Sequence, residues 1–304
     1  MKRKDEDVHM KRSRPLEVVA VPTPKGSDHE PAPHGQGLLP VHEFTMGLIA
    51  PKGKGKTTTI INLLEFYRGY FHKVFILSPT VKSDVKWKFA QKLKVLVENK
   101  PLKNWLRQMA DKRASDSIVQ PMSLDKRFDS LLDDDKFQPE IPESCFFHGN
   151  EVVAEIRKLL DKNKDVVDLL DEHGKMKTLA DRILIIADDQ VGSDLFVGPL
   201  KKYFVGANTR HRHHSASIVM VSQGYKEIPK TIRTGWTCLL IYKIGNMKEL
   251  EVIYEEFPMD LGWDEWYELY REATSEKHDF LFIDMYGPEE YKMRKGFDKA
   301  LLYL

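Results

Sequence analysis

The apolar run EFTMGLI runs straight into APKGKGKT, Ala50 to Thr57, and this junction constrains the fold more than any other stretch of the chain. The run reads as a buried strand. The loop crowds three lysines and two glycines into eight residues. KTTTIINLLEFYRGYF follows, with Ile60, Leu63, Leu64 and Tyr67 at helical spacing. KVFILSPT is then a second strand, closed by a Ser-Pro turn. Strand, loop, helix, strand opens a βαβ unit, and such units build parallel sheets.

The rest of the chain extends that pattern. DRILIIADD carries a buried strand from Ile183 to Ala187, SASIVMVSQ another, and TGWTCLLIYKI another. Helices are expected over Met247 to Phe257 and around Trp263 to Tyr270, before a terminal strand in HDFLFIDM. No internal repeat is visible. These apolar strands with helices between them predict one doubly wound α/β domain over 42–304, its mainly parallel sheet flanked by helices.

Between the second and third strands, residues 84–180 are charged and mostly helical in pattern, an insertion or helical layer. From Lys82 to Arg113 the stretch is basic: Lys82, Lys86, Lys88, Lys92, Lys94, Lys100, Lys103, Arg107, Lys112 and Arg113 face only Asp84, Glu98 and Asp111. Trp87 and Trp105 are interleaved, and an acidic stretch with Asp133, Asp134 and Asp135 follows. The basic half suits either a nucleic-acid surface or a solvated helix face. Residues 1–41 read as a disordered tail. MKRKDEDVHMKRSRP holds two basic clusters, and Pro22 to Pro40 is rich in proline and glycine without apolar periodicity. Such clusters serve as nuclear import signals, as nucleic-acid anchors or merely as a soluble tail.

The 304 residues, 41% of them apolar, suffice for one large domain or two modest ones, and a net charge of +1 says nothing about partners. The two cysteines, Cys145 and Cys238, lack metal-ligand spacing. A disulfide framework is not expected, and a reducing compartment is. No apolar run approaches the roughly 20 residues needed to span a bilayer, and the charged N-terminus has no apolar signal core.

The loop fits the phosphate-binding pattern G-x-x-x-x-G-K-[ST] at Gly55, Lys56 and Thr57, with Ala50 in place of the first glycine. That exchange costs little if φ stays negative, and Gly53 keeps the middle of the loop permissive. The loop from Pro51 through Thr58 would ring a phosphate at a helix start with the backbone N–H groups of Lys52, Gly53, Lys54, Gly55, Lys56, Thr57 and Thr58. Proline supplies loop geometry there rather than a donor. Lys56 would reach the β- and γ-phosphates of ATP, and Thr57 would ligate Mg²⁺.

ILIIADD places two aspartates at the carboxyl end of a buried strand. Asp188 suits the Mg²⁺ and Asp189 suits the general base that polarises an attacking water. Gln223, in VSQ, ends the next strand and can sense the γ-phosphate or orient the water; a plain turn before Gly224 is the bland alternative. TRHRHHSAS packs Arg210, His211, Arg212, His213 and His214 together. No cysteine or carboxylate stands near in sequence to complete a zinc set. An arginine offered to a neighbouring subunit's nucleotide is better motivated, and contact with DNA phosphate is a third use. Arg233, in KTIRTGW, is a second candidate for either arginine role.

APKGKGKT, KVFILSPT, ILIIADD, the Arg-His run leading into SIVMVSQ, and IPKTIR before a strand together resemble the poxvirus-type genome-packaging ATPases. These belong to the FtsK/HerA group of P-loop NTPases, and relatives occur in giant viruses, virophages and Polinton-like elements. The resemblance covers about 42–285 and is weak over 84–180. It implies that Lys56 and Thr57 are the phosphate and Mg²⁺ residues, Asp188 and Asp189 the metal and base positions, and Gln223 the sensor. It makes Arg212 the leading trans-acting arginine. It also implies a homo-oligomeric ring, commonly of five or six subunits, that drives double-stranded DNA into a capsid with capsid or portal-vertex proteins as partners. Such a protein would work in the virion or at an intracellular assembly site, with a nuclear site open from the basic tail. Two other readings stand beside it: a nucleotide or nucleoside kinase, for which no clear lid is visible, and a non-catalytic P-loop DNA-binding scaffold. Free phosphate as product separates the first reading from the second.

Overall fold

The computed structural model describes residues 29–116, 137–148, 151–190, 192–193, 195–196, 199–257 and 260–301. The basic clusters at the N-terminus and the acidic run Asp133 to Asp135 lie outside these residues.

The first unit forms as its pattern requires. β1 (Thr45–Ile49) is buried along its whole length, α1 (Lys56–Phe66) starts at Lys56, and β2 (Lys73–Leu77) follows. The insertion contributes α2 (Val85–Ala90), α3 (Lys100–Asp116), a two-residue strand β3 (Phe146–Phe147) and α4 (Glu151–Glu172). Then come β4 (Ile183–Asp188), α5 (Pro199–Thr209), a tight 3-10 turn at His211–His214, and β5 (Ala216–Ser222). α6 (Lys230–Arg233), β6 (Cys238–Tyr242), α7 (Met247–Glu256) and α8 (Trp263–Ala273) lead to β7 (Phe280–Asp284), β8 (Met293–Lys295) and β9 (Lys299–Ala300).

These strands form one sheet in the order β3-β2-β4-β5-β1-β6-β7-β8-β9. The pairings from β3 to β6 are parallel and those from β6 to β9 antiparallel. The fold is thus the expected α/β one, a mainly parallel sheet flanked by helices. Alternate residues of each central strand serve opposite faces. Ile185, Met220 and Leu239 meet α4, α5, α7 and α8 on one side. Leu48, Ile186, Val219 and Leu240 meet α1 and Trp87 on the other. A sheet buried on both faces needs near-continuous apolar strands, which is what made the strands visible in the sequence.

Three features depart from the sequence pattern. β3, β8 and β9 are two or three residues long, too short for a periodicity to show, so the insertion is not purely helical. Trp87 and Trp105 are buried at 0% and 7% exposure, within the core and within a small α3–α4 cluster respectively. Neither is available to stack on a base. The packed structure also begins before residue 42. Ala32 and Leu39 are buried, and Tyr70 and Tyr67 donate hydroxyl hydrogen bonds to the carbonyls of Glu30 and Pro40. Both cysteines are free thiols, and no helix among the described residues is long and apolar enough to cross a membrane.

Gly47 sits in central β1 against the Trp236 ring, where an added Cβ would lie 2.3 Å from a ring carbon. Gly47→Ala is therefore expected to cost about 3 kcal/mol, the upper end for overpacking. The check is a urea midpoint that falls with unchanged slope.

Candidate functional site

Four parallel strands, β2, β4, β5 and β1, bring their carboxyl ends side by side. In open α/β sheets that edge is where ligands bind. β1 delivers the loop. Ala50 is fully buried, its N–H donates to the Ser222 carbonyl at 3.0 Å, and its φ is not in the positive range. The chain therefore needs no glycine there. The true turn comes later, at Gly53 (φ 77°) and Gly55 (φ 103°), the second of which caps α1. A side chain at either position would be strained.

The Lys56 ammonium folds back over the loop and donates to the Ala50 carbonyl at 3.0 Å. A cavity of about 480 Å³ opens at the loop, walled by Lys54, Lys56, Thr57, Lys86, Tyr242 and His278 among others. Two of these wall contacts come from distant segments. Lys86 of α2 donates to the Thr58 hydroxyl at 3.2 Å, and His278 lies 3.1 Å from the Lys54 carbonyl through Nδ1. The loop thus presents backbone N–H groups, the start of a helix and two lysines to one space, which is an anion site by construction.

β4 delivers the carboxylates. Asp188 is 5% exposed. Its Oδ2 accepts from the Ser78 hydroxyl at 2.8 Å, while its Oδ1 is buried without a hydrogen-bond partner. Burial pushes this carboxyl up to about 6, with the charges of Asp189 and Asp84 adding to the rise and the Ser78 bond and the Lys56 ammonium opposing it. An orphaned, buried carboxylate oxygen is costly unless a cation or donor completes it. Together with the Thr57 hydroxyl it is a hard-oxygen set of the kind that binds Mg²⁺ alongside phosphate. The residues present fit that ion.

Asp189 turns out of the strand at φ 51°, in the left-handed region that aspartate tolerates better than most residues. Its N–H donates to Val221 at 3.0 Å, and its carboxylate accepts from Gln223 Nε2 at 3.2 and 3.4 Å. The end of β5 is itself tied down, with Ser222 Oγ and the Gly224 N–H both donating to Glu227. Gln223 stays exposed and beside Asp189. Lys56, Thr57, Asp188, Asp189 and Gln223 thus share one edge of the sheet.

The two arginines stand elsewhere. Arg233 is spoken for. It donates to both Glu256 carboxylate oxygens at 2.7 and 2.9 Å and to the Ile228 carbonyl at 2.9 Å, and it lies over the Tyr225 ring. Its exposure is 9%. This clamp holds the side chain in place at the end of α6. Arg212 is exposed, in the 3-10 turn that precedes β5. Seven strand residues separate it from Gln223, roughly 20 Å at strand rise. It is at the opposite rim from the loop of its own chain.

Ser78, Lys86 and His278 are site residues that sequence reasoning passed over. Ser78 had a signal: it is the polar residue ending a strand next in the sheet to the aspartate strand. His278 had none, since 224 positions separate it from the carbonyl it meets.

No protein-family model and no curated protein matches the chain. Solved structures similar to it include the genome packaging NTPase B204 from Sulfolobus turreted icosahedral virus 2 in complex with AMPPCP. That match has 12% identity and a TM-score of 0.44, over 83% of this chain and 96% of the other. The pCW3 conjugation coupling protein TcpA in its monomer form with ATPgS matches at 12% identity and a TM-score of 0.38, over 84% and 61%. EssC (ATPases 2 and 3) from Geobacillus thermodenitrificans matches at 10% and 0.38, over 72% and 36%. No residue role is drawn from likeness of this degree.

Proposed function

We propose that the chain binds ATP with Mg²⁺ at the Ala50–Thr58 loop, hydrolyses it, and uses the energy to drive double-stranded DNA into a viral capsid. The single observation that carries the nucleotide part is the buried, unpartnered Asp188 Oδ1 within electrostatic reach of Lys56. In this reading the loop N–H groups and Lys56 hold the phosphates. Thr57 and Asp188 would hold Mg²⁺, which supplies charge neutralisation on the phosphate oxygens. Asp189 takes the proton of the attacking water, and Gln223 steadies both.

The DNA part is supported by the motif set and by exposed Lys82, Lys86, Lys88, Lys92, Lys94, Lys100 and Arg107 around α2 and α3. Contacts of that kind fall on phosphates and weaken with salt. The distance of Arg212 from its own loop favours a head-to-tail ring in which it reaches a neighbour's nucleotide. Capsid or portal-vertex proteins at the site of virus assembly would be further partners.

The test is phosphate release from ATP with and without long double-stranded DNA, at two salt concentrations. DNA stimulation that fades as salt rises is the expected result. A phosphorylated acceptor in place of free phosphate, or ATP binding without hydrolysis in every condition, would sink the proposal.

A further inference from the structure

At the rim of the sheet opposite the phosphate loop, His29, His42 and Glu43 bring one ligand atom each to within 4.8 Å of one another. His29 comes from the segment before β1, and the other two lead directly into β1. His29 Nε2 and Glu43 Oε1 lie 3.7 Å apart on side chains only 4% and 9% exposed. Neither atom has a hydrogen-bond partner. The gap is too long for a hydrogen bond, and two polar atoms stranded in this way cost free energy unless something lies between them. Two donors each about 2.1 Å from one cation stand roughly 3.4–3.8 Å apart at angles from tetrahedral to about 130°. The 3.7 Å between His29 Nε2 and Glu43 Oε1 falls in that range.

The surroundings are built in the same sense. The Ser215 carbonyl is 3.0 Å from His42 Nε2, a position from which that nitrogen donates, and the Ser217 hydroxyl is 2.9 Å from Nδ1. A ring N–H tethered to a backbone carbonyl is the usual anchor of a metal-bound histidine, and exchanging the hydroxyl at Nδ1 for a cation leaves it intact. Lys177 grips Glu43 Oε2 at 2.7 Å and leaves Oε1 turned to the gap.

The Glu43 backbone is held at φ 72°, a left-handed conformation pinned by its N–H on Ser217 Oγ and by His211 Nε2 on its carbonyl, both at 3.0 Å. Such strain persists only where neighbours over-determine it. A cavity of about 660 Å³ borders all three side chains and admits water to complete a coordination shell. Lys177 and Arg212 line it too, so binding is weaker than in a closed all-cysteine site.

We propose that His29, His42 and Glu43 bind a borderline divalent cation, Zn²⁺ in preference to Mg²⁺, with water filling the remaining positions. The ion staples the segment before β1 to the amino ends of β1 and β5. Two imidazoles and one carboxylate suit Zn²⁺ and Co²⁺ and not the harder ions. The site is separate from the phosphate loop and does not depend on the proposed ATP hydrolysis.

The experiment uses the full chain, stripped with chelator and free of nucleotide and Mg²⁺, titrated with Co²⁺ while its visible d–d bands are followed. One equivalent should produce the bands and Zn²⁺ should displace them. His29→Ala and Glu43→Gln should each weaken binding at least about tenfold, whereas His213→Ala, an exposed neighbour, should not. Zn²⁺ should raise the melting midpoint of the native chain and not that of His29→Ala. Metal-free melting curves show that each variant is folded. Absence of bands in the native chain, or bands that persist in both ligand variants, overturns the site.

Discussion

Asp189→Asn should lower phosphate release from ATP by about 10²- to 10⁴-fold, the usual weight of a positioned general base. ATP binding should be retained, because no loop contact is removed. The substitution isolates the proposed proton acceptor. Asparagine keeps the shape of aspartate and tolerates the φ of 51° observed at this position. The backbone bond to Val221 and a contact with Gln223 both survive it. What is lost is the basic oxygen. Single-turnover phosphate release beside a nucleotide-binding isotherm checks the split. Hydrolysis that survives in the variant would mean that another group takes the proton.

Arg233→Ala should destabilise the fold by about 2 to 3 kcal/mol, since it takes from the half-buried Glu256 its nearer cation and leaves Lys230 at 4.0 Å. That corresponds to a melting midpoint lower on the order of 10 °C. Burial alone would raise the Glu256 carboxyl, but the hydrogen bonds from Arg233 and Tyr225 outweigh it and hold the group below its ordinary range. Removing the arginine takes away the first of those bonds and leaves the Tyr225 bond and the Lys230 charge. Arg212→Ala should leave the midpoint where it is, because that side chain is exposed. Calorimetry on the two variants separates the structural arginine from the one available to a neighbour. Equal midpoints for the two would refute the clamp.

The central strands were legible because burial on both faces forces unbroken apolar runs such as ILIIA and SIVMV. The loop was legible because phosphate chemistry fixes residue types at fixed spacing. α7 and α8 begin where their amphipathic patterns begin, at Met247 and Trp263. Other features had no local signature. The Glu256 partner of Arg233 lies 23 positions away, and only the fold brings the pair together. Trp87 and Trp105 sit among lysines in the sequence, yet their rings point inward while the lysine stems carry the charge outward. His211 of the histidine run meets the backbone carbonyl of Glu43, 168 positions earlier, while the Glu43 carboxylate stands with His29 and His42 instead.

The sheet tapers at both of its described rims, to Phe146–Phe147 on one side and Lys299–Ala300 on the other. A two-residue rim offers an approaching chain no more than a couple of free backbone groups, too few to template another strand. The described rim strands therefore give little purchase for joining sheet to sheet into a continuous ribbon. In the ring proposed above, contacts between copies would fall to side chains, which can be made and released without unzipping a backbone ladder.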